Sequence, residues 1–253
     1  MMSRILFASD LDNTLLFSYR HRREDDSCVE HLDGKEQGFC TRRSLLLLAQ
    51  VCGRAQFIPV TTRSLDQYRR IAWPAACVPR YAVTTNGGIL LADGEEDPEW
   101  SAQTRELTAP WREELLRLHS RLPEAPMLRR CRMVDGLYLF AACDDVESAQ
   151  AGGKFFAGQT SLDIAVSGRK VYFFPPPLNK GTAVKRLKER FQPEKTICAG
   201  DSVIDIPMLR AADLAILPNP DLLQDGNSAV LNIHQGTDRF PDFVLQSVLE
   251  ELK

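Results

Sequence analysis

The chain has 253 residues, enough to bury one large core or two smaller ones, and its 44% hydrophobic and 26% charged content is that of a globular protein. A formal net charge of −3 argues against nucleic acid or an anionic membrane surface held by bulk charge, and no apolar run approaches a membrane span. The seven Cys are scattered without a Cys-x-x-Cys pair and the four His lack metal-ligand spacing; with no signal-peptide apolar region, this fits reduced thiols in a cytoplasm better than a disulfide frame or a zinc site.

Residues 5–8 are a short apolar run that predicts a buried strand, ending in Asp10 and Asp12. Alternate strand residues share a face, so the two carboxylates can converge at the C-terminal end, where open α/β sheets bind ligands. Residues 17–38 are polar with mixed charge, a solvated loop; within them 28–36 alternate around Asp33-Gly34, the signal of a hairpin flap beside Asp10. Thr41 caps a helix over 42–52 that Gly53 ends. A second strand, 56–60, finishes in Thr61-Thr62-Arg63-Ser64, and its Pro59 requires a place where no N–H is needed. A helix over 65–73 stops at Pro74, and a third strand, 81–84, leads into the turn Thr85-Asn86-Gly87-Gly88. Strands alternating with helices predict an α/β fold, a Rossmann-like parallel sheet with helices on both faces.

The rhythm changes after that turn. Residues 89–100 suggest a strand and an Asp93-Gly94 turn, 111–122 an amphipathic helix, and 127–134 with 137–142 a hairpin across Asp135-Gly136. A helix over 145–156 and a second hairpin, 162–166 with 170–174 across Ser167-Gly168, repeat the helix-strand-strand order. This describes an inserted α+β cap over 88–177, within a core made of 1–87 and 178–253. Pro175-Pro176-Pro177 is a stiff return linker, followed by a helix over 180–191 and a fourth strand, 196–199, ending at Gly200-Asp201. A short helix over 203–211, strands over 214–217 and 229–233, and an amphipathic helix over 243–253 complete the chain.

Three strand ends therefore carry polar groups: Asp10 and Asp12, Thr61, and Asp201 with Asp205. Parallel strands share a C-terminal edge, so these groups can meet in one crevice, and Lys180 at a helix start can reach it. Carboxylates crowded together repel one another without a cation, and oxygen donors with no Cys or His nearby select a hard ion, Mg²⁺. A carboxylate beside Mg²⁺ and a phosphate can attack phosphorus, and a second, two residues on, can protonate the leaving oxygen and then activate water. Thr61 would donate to the phosphoryl oxygens while Lys180 holds nucleophile and phosphate together. Asn179-Lys180-Gly181-Thr182 has Lys and Gly in the wrong order for a Walker A loop, and Gly152-Gly153-Lys154 lacks its preceding Gly.

The segments Asp10-Leu11-Asp12-Asn13-Thr14-Leu15-Leu16, Thr61-Thr62-Arg63, Lys180 and Gly200-Asp201-Ser202-Val203-Ile204-Asp205 resemble, in order, the four motifs of the haloacid dehalogenase superfamily of phosphatases. The Thr85-Asn86-Gly87-Gly88 turn resembles the Cof-like, sucrose-phosphatase-like subgroup, whose α+β cap lies between the second and third motifs. The resemblance implies Asp10 as nucleophile, Asp12 as general acid/base, and Thr61 and Lys180 as phosphate-binding catalytic groups. It implies Mg²⁺ bound by Asp10, Asp201 and the backbone carbonyl of Asp12, with Asp205 a ligand or a support behind the ligands. Thr61, Thr62, Arg63, Asn86 and Lys180 are the expected substrate-binding residues. Thr62 stands where the subgroup usually has Gly, and Ile204 where Asn is common; neither position supplies a direct metal ligand.

The expected activity is Mg²⁺-dependent hydrolysis of a small phosphorylated metabolite, sugar phosphates first, through an aspartyl phosphate. A phosphomutase or phosphotransferase on the same scaffold is the alternative within enzymology, and a non-catalytic sensor of a phosphorylated ligand the alternative outside it. Arg129, Arg130, Arg132, Lys154 and Arg169 stand as candidates for an anionic part of the substrate, against the alternative of solvated surface charge. The sequence leaves the oligomeric state open.

Overall fold

A computed structural model describes residues 5–223 and 229–253. Its organising layer is a parallel sheet of five strands in the order Val230–Ile233, Leu214–Leu217, Lys195–Ala199, Ile5–Ser9, Gln56–Pro59. The first strand in sequence is thus internal. Its period of two divides the core: Phe7 packs among Leu47, Leu48 and Val51 of the helix Arg42–Cys52 and Val244, Leu245 and Val248 of Phe240–Glu251. Leu6 and Ala8 face Val184 and Leu187 of the helix Lys180–Phe191 and Met208 of the helix Ile206–Arg210. A strand buried on both faces must be apolar throughout, as residues 5–8 are.

Among the described residues, the strand Tyr81–Thr84 meets this sheet through a parallel bridge between Val60 and Val83 and not through a full ladder. Pro59 supplies the reason. The Val60 N–H donates to Ser9 at 2.7 Å and the Thr61 N–H to Val83 at 2.9 Å, so the Pro59 nitrogen points towards Tyr81–Thr84 and has no proton to give. The neighbouring strand instead pairs antiparallel with Ile89–Ala92, which pairs with Glu95–Glu96.

Several expected elements differ: the strand expected over 127–134 covers only Arg132–Val134, and the helix expected over 203–211 is a 3-10 turn, Val203–Asp205, followed by the helix Ile206–Arg210. The helix expected over 65–73 covers only Leu65–Arg69, because the chain beyond it turns to the flap: Ala72 N–H donates to Val29 at 2.8 Å and Ile71 bridges Glu30. The strand expected to reach residue 100 stops at Glu96, and a helix, Pro98–Thr108, starts instead. Its signal was present: Asp97 accepts the Trp100 N–H at 2.8 Å and Pro98 occupies the first turn. Leu90 and Trp100 are buried in the core cluster beside Val184 and Leu187.

The inserted segment has its own antiparallel sheet, ordered Asp163–Ser167, Lys170–Phe174, Tyr138–Ala142, Arg132–Val134. One face, including Leu139, Val171 and Phe173, packs on Leu115 and Leu118 of the helix Arg112–Arg121 and Phe156 of Val146–Phe156. The other presents Val134, Tyr138, Tyr172 and Phe174 to Leu178 and Ile204 of the core. Polar ties fasten the turn between Val134 and Tyr138: Asp135 accepts from the Leu65 N–H at 3.1 Å and the Thr85 hydroxyl at 2.5 Å, and the Tyr138 hydroxyl donates to the Thr62 carbonyl at 2.6 Å. Among the described residues no helix is long and apolar enough to cross a membrane.

Candidate active site

At the end of Ile5–Ser9, the Asp10 N–H donates to Ala199 at 2.9 Å, carrying the carboxylate just past the sheet edge. The Leu11 carbonyl then accepts the N–H groups of Thr14, Leu15 and Leu16, a tight loop for which Asn13 takes φ 64°. Lys180 approaches from the opposite direction. Asn179 caps its helix by accepting the Thr182 N–H at 2.9 Å, and the 1% exposed Lys180 side chain places Nζ 2.5 Å from both Asp10 Oδ1 and Asp205 Oδ1. The helix can come this close because Gly181 has no side chain: a Cβ there would lie 2.4 Å from the Pro207 carbonyl oxygen. Asp205 is anchored further, its Oδ2 accepting from Asp201 N, Ser202 N and Ser202 Oγ at 3.1, 3.0 and 2.9 Å. Asp201 accepts the Thr14 hydroxyl at 3.2 Å, which ties the first motif to the last.

Asp12, two residues beyond Asp10, has a different partner. Arg63 grips its carboxylate with Nη2 at 2.7 Å and Nε at 3.0 Å, and Nη1 of the same guanidinium reaches Glu30 at 2.9 Å. Glu30 also accepts from Arg70 at 3.2 Å, so the flap strand Ser27–Leu32 joins both ends of the short helix Leu65–Arg69, Arg63 before it and Arg70 after it, in one chain of charges. Fork geometry on a carboxylate fixes orientation as well as charge.

The electrostatics separate the acids. Burial raises the Asp10 pKa well above the ordinary carboxylate value; Lys180 opposes the rise, while Asp205, Asp201 and Asp12 add to it. Asp201 is pushed up to about 6 by burial and by Asp205, against Lys180 and the Thr14 hydroxyl. For Asp12, desolvation also works against ionisation, but Arg63 outweighs it and the pKa is lowered. Burial opposes the charge on Lys180, yet Asp10 and Asp205 override it and hold it protonated.

Oxygens of Asp10, Asp201 and Asp205 all lie within 4.8 Å of one another. One lysine leaves this trio two charges short of neutral, which a divalent cation would supply. Both Asp205 oxygens are occupied by protein donors, whereas Asp10 and Asp201 each keep an oxygen without one among the described residues. The donor set therefore fits a hard cation held by Asp10 and Asp201, with Asp205 behind them.

The structure brings Asp10, Asp12, Thr62, Lys180 and Asp201 around one pocket, joined by Ser167, Lys170 and Tyr172 from the inserted sheet. Thr61 is fully buried beside it and accepts the Arg63 N–H at 3.1 Å. Arg63, expected at the substrate, lines the cleft but spends its guanidinium on Asp12 and Glu30. Asn86, also expected there, is 1% exposed and donates to the Leu178 carbonyl at 2.9 Å, tying the turn to the return segment and not lining the pocket. Glu30 carried no sequence signal, because a bulge in the flap breaks the alternation around it.

No family model matches the chain. A phosphoglycolate phosphatase from Methanopyrus kandleri is 28% identical over 139 residues, 54% of this chain and 58% of that protein, so the chain spans a little over half the length of this curated relative. Among solved structures, the sucrose-phosphatase of Synechocystis sp. PCC6803 superposes with a TM-score of 0.68 at 17% identity, covering 98% of both chains. The C-terminal domain of a trehalose-6-phosphate phosphatase from C. albicans gives 0.63 at 15% identity over 99% and 92% of the two chains. A haloacid dehalogenase-like hydrolase from B. subtilis gives 0.60 at 15% over 96% and 98%. The chain has the fold of these haloacid dehalogenase-like structures, an α/β core carrying an α+β insertion, and its acids converge at the sheet edge of that core.

Proposed function

We propose that the protein is a Mg²⁺-dependent phosphatase of a small phosphorylated metabolite, a sugar phosphate first, acting through an aspartyl phosphate on Asp10. The observation that carries this reading is the contrast between two carboxylates on one strand end: Asp10 is paired with a buried lysine, and Asp12 is gripped by Arg63. Asp10 attacks phosphorus, and the P–O bond to the leaving alcohol breaks. Asp12 serves as general acid to that oxygen and then as base to the water that hydrolyses the aspartyl phosphate; because Arg63 holds it ionised in this structure, the acid step requires Asp12 to leave the Arg63 fork and take up a proton as substrate binds. Lys180 holds Asp10 in place and balances charge on the phosphoryl group, with Thr62 lining the same pocket and Thr61 buried next to it in the chain. Mg²⁺ held by Asp10 and Asp201 would supply the remaining positive charge for the phosphate. Core and cap are assigned as 1–87 with 178–253, and 88–177. The free thiols favour a cytoplasmic setting.

The test is phosphate release from a panel of sugar phosphates, nucleotides and phosphoglycerates with Mg²⁺, with EDTA and with the Asp10→Asn protein. Turnover that needs Mg²⁺ and disappears with the substitution is expected. Turnover indifferent to Asp10→Asn would overturn the nucleophile assignment.

A further inference from the structure

Beyond the pocket at Asp10 the cleft opens between core and inserted sheet. A cavity of about 190 Å³ lies between Arg63 and Arg70 on one side and Arg132, Phe140, Lys170 and Tyr172 on the other. It continues into a wider space of about 950 Å³ that adds Arg129, Arg130 and Arg169. Lys170 lines all three compartments. Strand pairing explains the arrangement. Arg132 lies opposite Phe140, and Phe140 opposite Tyr172, on the sheet face that covers the core, while Lys170 is two residues from Tyr172 on the same face.

The charges in this space do not balance. Its carboxylates each have a basic partner: Asp12 and Glu30 hold Arg63, Glu30 also holds Arg70, and Asp144 holds Arg129 at 3.0 Å. Among the described residues, no carboxylate lies within ion-pair distance of Arg130, Arg132, Arg169 or Lys170. Arg132 is instead steadied over the Phe140 ring, 5.2 Å from its centroid, which leaves its fork free for a planar acceptor. Lys170 acts on Asp12 across the cleft and Arg169 donates to the Asp144 carbonyl at 3.3 Å, but Arg130, Arg132, Arg169 and Lys170 form no close ion pair among the described residues, a local cluster of basic groups in a chain with net charge −3. Lys154, another candidate from the sequence, lines none of these compartments.

We propose that the substrate carries a second anionic group, a carboxylate or a further phosphate, which Arg132 and Lys170 bind across the cleft from the scissile phosphate. This deepens the phosphatase reading of the Asp10 site and rests on it. With a neutral sugar tail these exposed basic groups would have only solvent as partner, whereas an anionic tail pairs with them and is drawn in by their field. The space beyond Asp12 is large enough for such a tail, whereas the compartment at Asp10, about 50 Å³, accommodates little more than the phosphoryl group.

Matched ligands test this. Glucose 6-phosphate has a neutral tail, 6-phosphogluconate adds a carboxylate and glucose 1,6-bisphosphate adds a phosphate, so the latter two distinguish the sources of the second anion. With Mg²⁺, kcat/KM for at least one two-anion ligand is expected to exceed that for glucose 6-phosphate by about tenfold or more, mainly through KM. Arg132→Gln and Arg132→Gln/Lys170→Gln should remove that preference, and Lys170→Arg should retain it. Equal kcat/KM for all three ligands, or a preference that survives the double substitution, would overturn the proposal. p-Nitrophenyl phosphate, which has no second anion, reports the phosphatase reading separately. If that reading fails, calorimetric titration of the unsubstituted protein with the same three ligands still decides: tighter binding of a two-anion ligand, lost in the double variant, upholds the subsite, and its absence overturns it.

Discussion

Lys180 and Asp10 carry opposite consequences for stability although they touch. Lys180 neutralises part of a buried acidic trio, so Lys180→Met leaves Asp10 and Asp205 without compensation. Breaking a buried pair in this way costs about 3 kcal/mol, and thermal unfolding of the metal-free variant should occur roughly 6–12 °C lower. Asp10→Asn acts the other way. The raised Asp10 pKa means that folding disfavours its ionised form, so at neutral pH the neutral amide relieves repulsion from Asp201 and Asp205. In EDTA this variant should melt at or above the unsubstituted protein while losing turnover, and Mg²⁺ should raise its melting temperature less. A lower melting temperature in EDTA would show that the Lys180 contact outweighs the repulsion.

At the level of elements, the site depends on how closely two helix starts approach. Gly181→Ala drives a Cβ against the Pro207 backbone, so the helix Lys180–Phe191 must withdraw or the 206–210 helix must move. Either shift displaces Nζ from Asp10. The expected result is destabilisation of about 1–3 kcal/mol and a larger fall in kcat than a distant surface Gly→Ala produces, measured by denaturant unfolding and by turnover. The acids and Lys180 were legible in the sequence because strand ends and a helix start lie at definable positions along the chain. Glu30 was not legible: a carboxylate in a charged flap carries no mark of burial until Arg63 and Arg70 are folded onto it. The helix Pro98–Thr108 follows directly on the alternation of the preceding hairpin, and the Asp97-Pro98 start signal is the one local mark of the change. The early end of the helix at Arg69 depends on pairing with a flap some 40 residues earlier, which no local pattern shows.

For the whole molecule, the inserted sheet is coupled to the chemistry through backbone as well as side chains. The Tyr138 hydroxyl meets the carbonyl of Thr62, a residue lining the pocket, so Tyr138→Phe loosens the sheet exactly where it closes the site. Removing one such bond is worth about 1 kcal/mol, and kcat/KM should fall about fivefold with little change in the unfolding midpoint. An unchanged kcat/KM would place the sheet's hold on the core elsewhere, at Asp135 or the Tyr172–Ile204 contact.

The internal position of Ile5–Ser9 also has a consequence for the chain as it is made. One of its strand neighbours, Gln56–Pro59, is translated early, but the other, Lys195–Ala199, comes much later. At about 5–20 residues per second the ribosome takes roughly 7 to 30 s between Pro59 and Lys195, during which Leu6, Phe7 and Ala8 lack one flank. The nascent amino-terminal part is therefore an apolar edge seeking a partner, and neither Lys180 nor Asp201 has yet reached its acids. The site is therefore complete only once Lys195–Ala199 has paired with Ile5–Ser9 and brought Asp201 beside Asp10.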